Sequence, residues 1–235
     1  MATFEGFGDK ALPFLKAIGF HQSRDWFQEN KKLYEKELRE PLVALVEDVS
    51  TRFEKAGLPF RGARKTSLYR INRDVRFSKN KDPYNTHVSA LWTRTGTKKD
   101  HGFIYIRVSN ESTFIAAGFY ALDAELLTAL RNRMVSQEPE FQEILKGVVA
   151  HGLATDEHDD ALKRPPRGFS DVPESLKDLI RQRHITVSRS LNPSRATSSD
   201  LADDVLALGH RALPLCEFGW RAIDPILSER AKEAA

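Results

Sequence analysis

Residues 87–120, HVSALWTRTGTKKDHGFIYIRVSNESTFIAAGFY, decide the fold. Three runs within them, 87–93, 102–108 and 113–120, are short and rich in β-branched and aromatic side chains. Such side chains suit a pleated, half-buried surface. Two polar turns separate the runs, Thr95-Gly96-Thr97-Lys98-Lys99-Asp100 and Ser109-Asn110-Glu111-Ser112. The pattern predicts an antiparallel meander. Alternation along the middle run places Ile104, Ile106 and Val108 on one face and Phe103, Tyr105 and Arg107 on the other. An arginine sharing a face with two aromatics marks that face as something other than plain core.

Outward from the meander the pattern changes to helix. On the N-terminal side, Phe7, Phe14, Leu15 and Ile18 suit one apolar face despite Pro13, and Gly19 is a stop signal. Ser23 is a candidate N-cap with Asp25 in the first turn, followed by Trp26, Phe27, Leu33, Tyr34 and Leu38 at helical spacing. Pro41 is expected to end or kink that helix. A further helix follows through Leu42, Leu45, Val46, Val49 and Phe53, closed by Gly57. Part of 67–77 is expected to add another strand. On the C-terminal side, Asp123 can cap a helix bearing Leu126, Leu127, Leu130 and Met134, and Pro139 suits the first turn of the next. Helices are expected again near 173–184 and 199–213. The stretch 151–172, rich in Gly, Pro and charge, reads as a long connection, either a boundary or a loop with a use. The expectation is one α+β domain over 1–235, an antiparallel sheet packed with N- and C-terminal helices.

The 235 residues are 40% hydrophobic and 29% charged, enough to bury a core and unlike a disordered chain. No apolar run reaches the roughly 18 residues of a membrane helix, so no membrane partner is expected. No secretory signal is visible at MATFEGFGDK. A single cysteine, Cys216, excludes an internal disulfide framework and a cysteine zinc cluster, and its apolar neighbours mark it as a buried small hydrophobe. A cytoplasmic setting is the default reading.

The net charge of +3 hides an uneven distribution. Residues 61–81 hold eight cations, Arg61, Arg64, Lys65, Arg70, Arg73, Arg76, Lys79 and Lys81, against one acid, Asp74. That window is +7, which leaves −4 for the rest of the chain. Leu68, Tyr69, Ile71, Val75 and Phe77 interleave with the charges, which fits a folded basic surface better than a tail. Arg70, Arg73 and Arg76 recur every three residues. On a helix they would share a face; on a strand Arg73 would oppose the other two. Guanidiniums in such number repel one another unless anions compensate, and their planar fork suits carboxylate or phosphate. Pairing with acids elsewhere in the chain is the competing reading.

Asp82-Pro83-Tyr84-Asn85-Thr86-His87 then forms a turn leading into the first strand. His87 can act as acid, base or phosphate donor, or simply as a hydrogen-bonded strand end. Asp74, set among arginines, should be a poor base and is better suited to orient one of them. His87 and Asp74 are thus weak catalytic candidates. His151, Asp156, Glu157, His158, Asp159 and Asp160 match no ligand spacing and read as a solvated acidic loop, so no metal is expected. There is no phosphate-cradling GxxxxGK[ST] loop, GxGxxG, GxSxG or HExxH, which removes most of the case for nucleotide hydrolysis, dinucleotide redox chemistry and the standard hydrolases. No cofactor is expected.

Phe4-Glu5-Gly6-Phe7, the RDWF of Arg24–Phe27, Tyr34, the stretch YRINRDVRFSKNKDPYNTH of 69–87 and the KRPPRGF of 163–169 together resemble the family catalogued as domain of unknown function 2461. The resemblance spans roughly residues 4–220. It implies one α+β domain and carries over no catalytic residue. It also suggests that the two basic motifs meet. Lys163, Arg164 and Arg167 would then join Arg70, Arg73, Arg76, Lys79, Tyr84 and His87 around one pocket on the open face of the sheet. The leading expectation is a pocket for a small anionic ligand, phosphorylated ligands included, with enzymatic turnover left open. A structural or protein-interaction role with internally paired arginines comes second. Nucleic-acid binding, with Tyr69, Phe77 and Tyr84 as stacking residues, comes third.

Overall fold

A computed structural model describes residues 3–233. α1 (Ala11–Phe20) buries Ala11, Phe14, Leu15 and Ile18 as the apolar spacing requires. α2 (Arg24–Tyr34) begins where the Ser23 side chain accepts the Trp26 N–H at 3.2 Å. Pro41 does not end the path. α2 passes through a π-helical turn (Glu35–Arg39) into α3 (Glu40–Lys55). Proline lacks an N–H, and its ring crowds the carbonyl four residues back, here that of Glu37. The wider turn relieves the clash: the Glu40 N–H bonds the Glu35 carbonyl, and the Glu37 carbonyl accepts the Gly8 N–H at 3.3 Å.

The expected meander forms as β1 (His87–Thr93), β2 (Phe103–Ser109) and β3 (Thr113–Phe119). Along β2, Ile104, Ile106 and Val108 are buried while Phe103, Tyr105 and Arg107 are half-buried. The chain continues through α4 (Ala124–Ser136), α5 (Glu138–Ala150), β4 (Ala154–Thr155), α6 (Lys177–Arg181), β5 (Ile185–Leu191) and α7 (Leu201–Glu233). Asp123 caps α4 by accepting the Glu125 and Leu126 N–H groups. The five strands form one antiparallel sheet in the order β1-β2-β3-β5-β4, and the α+β class holds. The stretch 67–77 is not a strand. It carries only isolated bridges, Leu68↔Ala90 and Asn72↔Tyr84, and its far end leaves the sheet, with Val75 half-buried and Phe77 exposed. α7 runs well past the expected end near 213, through Pro214 and Pro225.

The described residues divide into two compact units. Unit 1 is Met1–Asp100, Ile104–Ile115 and Ser190–Gly209; unit 2 is His101–Phe103, Ala116–Arg189 and His210–Ala235. The whole 151–172 connection belongs to unit 2. Unit 1 centres on Phe53, which meets Phe60 at 5.6 Å and the edge of Trp92 at 6.2 Å. The Trp92 indole donates to the Val46 carbonyl at 3.1 Å, so its one polar atom is satisfied. Each such fully buried ring stabilises the fold by roughly 2 kcal/mol. In unit 2, Phe141 and Phe218 pack at 5.0 Å. Gly118, at φ +127°, lets β3 approach β5; a Cβ there would stand 2.2 Å from the Ile185 carbonyl oxygen. Among the described residues no helix is long and apolar enough to cross a membrane.

Candidate functional site

Unit 1 carries a cleft of about 930 Å³ between α2 with its π turn and the segments 64–72 and 83–84. α2 shapes one wall by its periodicity. Phe27 and Tyr34 lie two turns apart and are buried, while Arg24 and Lys31, also two turns apart, are exposed along the cleft. Tyr84 holds the opposite wall in place. Its ring is buried and stacks on Phe27 at 4.5 Å, and its backbone N–H donates to Gln22 Oε1 at 3.0 Å. Burial, reinforced by Glu35, pushes the Tyr34 hydroxyl up to about 12, so it keeps its proton.

The charge in the cleft is one-sided. Arg24, Lys31, Arg39, Arg64, Lys65 and Arg70 line it, with Glu35 as the acid among its lining residues. Two of the six cations are already paired. Arg39 bonds Glu35 at 3.0 Å and Glu40 at 3.3 Å. Arg64 grips both Glu40 oxygens, at 3.1 and 2.5 Å. Arg24, Lys31, Lys65 and Arg70 form no ion pair with any described residue. Four cations without a salt bridge, of which Arg70 acts on a nearby carboxylate, that of Asp74, make a field that favours an anion. Tyr69, partly exposed at the same cleft, lies under the Lys98 ammonium at 4.7 Å.

The residues singled out from the sequence separate into groups. Arg70 and Tyr84 line the cleft. Arg73 and Arg76 do not. Arg73 turns inward on its own loop, donating to the Asp82 carbonyl at 3.2 Å and toward Ser78 Oγ at 3.4 Å. Arg76 clamps Asp74, with Nη2 2.7 Å from Oδ2 and Nε 3.0 Å from Oδ1. That hydrogen bonding holds the Asp74 carboxyl below its usual range, which makes it the poor base and arginine partner its sequence context implies. Lys79 is exposed on the same loop. His87 opens β1, half-buried; burial, then the Arg107 charge, depress it to about 4, so it is neutral at pH 7. Lys163, Arg164 and Arg167 belong to unit 2, all exposed on a loop whose Phe169 is buried and whose Gly168 turns at φ +90°.

The sequence model of the family described as conserved hypothetical protein (DUF2461) matches residues 10–218, most of both units. The chain belongs to that family. No curated protein and no solved structure matches it. The DUF2461 match covers every residue of the cleft described above.

Sequence reasoning missed Arg24, Lys31 and Lys65 as site residues. The signal existed: two cations seven residues apart on α2 share a face, beside Phe27 and Tyr34 at the same interval. At 156–160 the solvated reading fits Glu157, Asp159 and Asp160, which are exposed, but not Asp156 and His158. In unit 2 the Asp156 carboxylate is half-buried and accepts the Thr186 hydroxyl at 2.6 Å and that of Ser188. With its only proton directed to Asp156, Thr186 Oγ1 must accept from His158 Nε2, 2.9 Å away. His184 lies edge-on to His158 at 4.8 Å, under the Tyr120 ring at 3.8 Å. Its Nδ1 accepts the N–H of Ala121, whose φ of 55° is unusual for a residue with a side chain. Burial lowers the His184 pKa, against the opposing pull of Asp160 at 3.3 Å. Among the described residues no group of His, Cys, Asp or Glu side chains is arranged to hold a metal ion. Cys216 is fully buried, as its apolar context predicts.

Proposed function

We propose that the unit 1 cleft binds a small anionic ligand, one whose phosphate or carboxylate groups neutralise Arg24, Lys31, Lys65 and Arg70. The observation that carries this reading is that these four cations share one concave surface with no ion-pair partner. A guanidinium or ammonium gains a charge-assisted contact there without breaking an internal salt bridge. Tyr34, held protonated, supplies a neutral neighbour, and Phe27 and Tyr84 keep the walls rigid. The second reading, arginines that serve the fold, is favoured at Arg73 and Arg76 by their internal partners.

The test is a thermal-shift panel of inorganic phosphate, pyrophosphate, phosphorylated metabolites and carboxylic acids at low salt. The reading expects stabilisation by at least one phosphate-bearing member. It expects that shift to vanish in the Lys65→Ala/Arg70→Ala double variant, whose unliganded Tm stays at the wild-type value. A flat panel would exclude it.

A further inference from the structure

We propose that the cleft, besides small phosphate ligands, accepts the phosphates of single-stranded nucleic acid, and that the loop of residues 73–82 presents Phe77 as a platform for an unpaired base. The proposal rests on the cleft being an anion site and extends that site to a polymer.

The loop grows from the cleft wall itself. Asn72 and Pro83-Tyr84 line the cleft, and between them the chain makes a closed excursion. Its base is pinned by the Asn72↔Tyr84 bridge, by the Arg73 N–H on the Pro83 carbonyl at 2.8 Å and by the Asn85 N–H on the Ile71 carbonyl at 2.7 Å. Its interior is tied by its own polar groups. Arg73 reaches the Asp82 carbonyl, and the Lys81 ammonium reaches the Val75 carbonyl at 3.0 Å. The Asp82 N–H meets Asn80 Oδ1 at 2.7 Å, and Arg76 holds Asp74. The loop is therefore pre-shaped, and what it displays is Phe77, 95% exposed. The Arg76 guanidinium is set over that ring, 5.8 Å from its centroid.

An isolated exposed phenylalanine carries little meaning by itself. This one stands on a loop whose two ends, Asn72 and Pro83, line the cationic cleft. The loop's Arg73, Arg76 and Lys81 are held by internal partners, and Lys79 is exposed on the same loop. Tyr69, 42% exposed with the Lys98 ammonium over its ring and Tyr105 edge-on to it, is a second aromatic at the cleft. A basic groove that follows a phosphate backbone, with aromatic rings for successive bases, is the arrangement that binds single strands without reading sequence. Phe77 has polar or charged chain neighbours in Arg76, Ser78, Lys79 and Asn80, which suits a base flanked by phosphates better than an apolar protein pocket or a lipid surface. Tyr84 is not one of the stacking residues, because its ring is buried against Phe27.

The experiment measures fluorescence anisotropy of labelled dT12 and rU12 against salt, with pyrophosphate titrations beside it, for wild type, Phe77→Ala and Phe77→Trp. The proposal expects oligomer binding with a log–log salt slope of about −3, from four phosphates neutralised. Phe77→Ala should weaken the oligomer roughly 5- to 150-fold, the usual size of one base stack. Phe77→Trp should restore it, and pyrophosphate affinity and Tm should match wild type in both variants. Oligomer binding indifferent to Phe77→Ala, with pyrophosphate still bound, overturns the base platform and leaves the anion cleft standing. Loss of binding to anionic phosphatidylserine vesicles in Phe77→Ala, with oligomer binding unchanged, assigns the ring to a membrane surface instead. If neither pyrophosphate nor oligomer binds wild type, the cleft reading fails as well.

Discussion

The cleft of unit 1 and the loop that grows from it hold the same kind of residue in opposite states. Arg70 lines the cleft without an ion pair, whereas Arg73 and Arg76, three and six residues later, are engaged by the Asp82 carbonyl, Ser78 and Asp74. One sequence motif thus divides its arginines between recognition and construction. The division follows from local supply. Asp74 and the returning limb of the loop lie within reach of Arg73 and Arg76, while Glu35 and Glu40 are already bound by Arg39 and Arg64. Lys65, Arg70, Arg24 and Lys31 are left without a salt bridge, although Arg70 still acts on the Asp74 carboxylate that Arg76 holds.

The comparison can be broken first at the wall common to both regions. Tyr84→Ala removes a buried ring stacked on Phe27 and should cost about 3 kcal/mol. A thermal melt would show this as a Tm fall of roughly 6–12 °C. A variant that melts like wild type would mean that the wall does not depend on this stack. The next effect separates the two arginine classes. Arg73→Ala should lower stability by about 1 kcal/mol through its lost contacts within the loop. Arg70→Ala should stay within about 0.5 kcal/mol of wild type, as for an exposed side chain without a salt bridge. Denaturant midpoints compare them directly, and the reverse order would undo the division.

A separate effect is in pH. The neutral form of His87 is favoured in the fold, with its pKa near 4 instead of the usual 6.5. The unfolded chain therefore binds the proton more readily. The stability this site contributes is complete above about pH 6.5 and is lost as pH falls from there toward 4. In His87→Gln that part of the acid dependence should disappear from the pH profile of Tm. An unchanged profile would show that His87 is not desolvated.

Much of the fold was legible because it is written in periodicity. The meander alternates at period two, the caps at Ser23 and Asp123 are local hydrogen bonds, and Cys216 sits among apolar neighbours. The sequence was silent where the outcome depends on distant partners. Pro41 is carried into α3 behind a π turn, and the Glu37 carbonyl that its ring would crowd is satisfied by the Gly8 N–H, 29 residues away in the chain. The strand expected at 67–77 dissolved into single bridges for want of a continuous partner. At the candidate site, Arg70 and Tyr84 were legible from the basic segment itself. The cations of α2 were not, because nothing in a one-dimensional count brings Arg24 and Lys31 beside Lys65. Which arginines are free is likewise a question of three-dimensional neighbours, and spacing by three left it open.

The direct test is a calorimetric titration of pyrophosphate, at low salt, into wild type, Arg70→Ala and Arg73→Ala side by side. The account predicts that Arg70→Ala binds at least about tenfold more weakly, the loss of one charge-assisted contact of roughly 1.5–3 kcal/mol. Arg73→Ala should bind like wild type. Equal losses in the two variants, or a loss confined to Arg73→Ala, would contradict it.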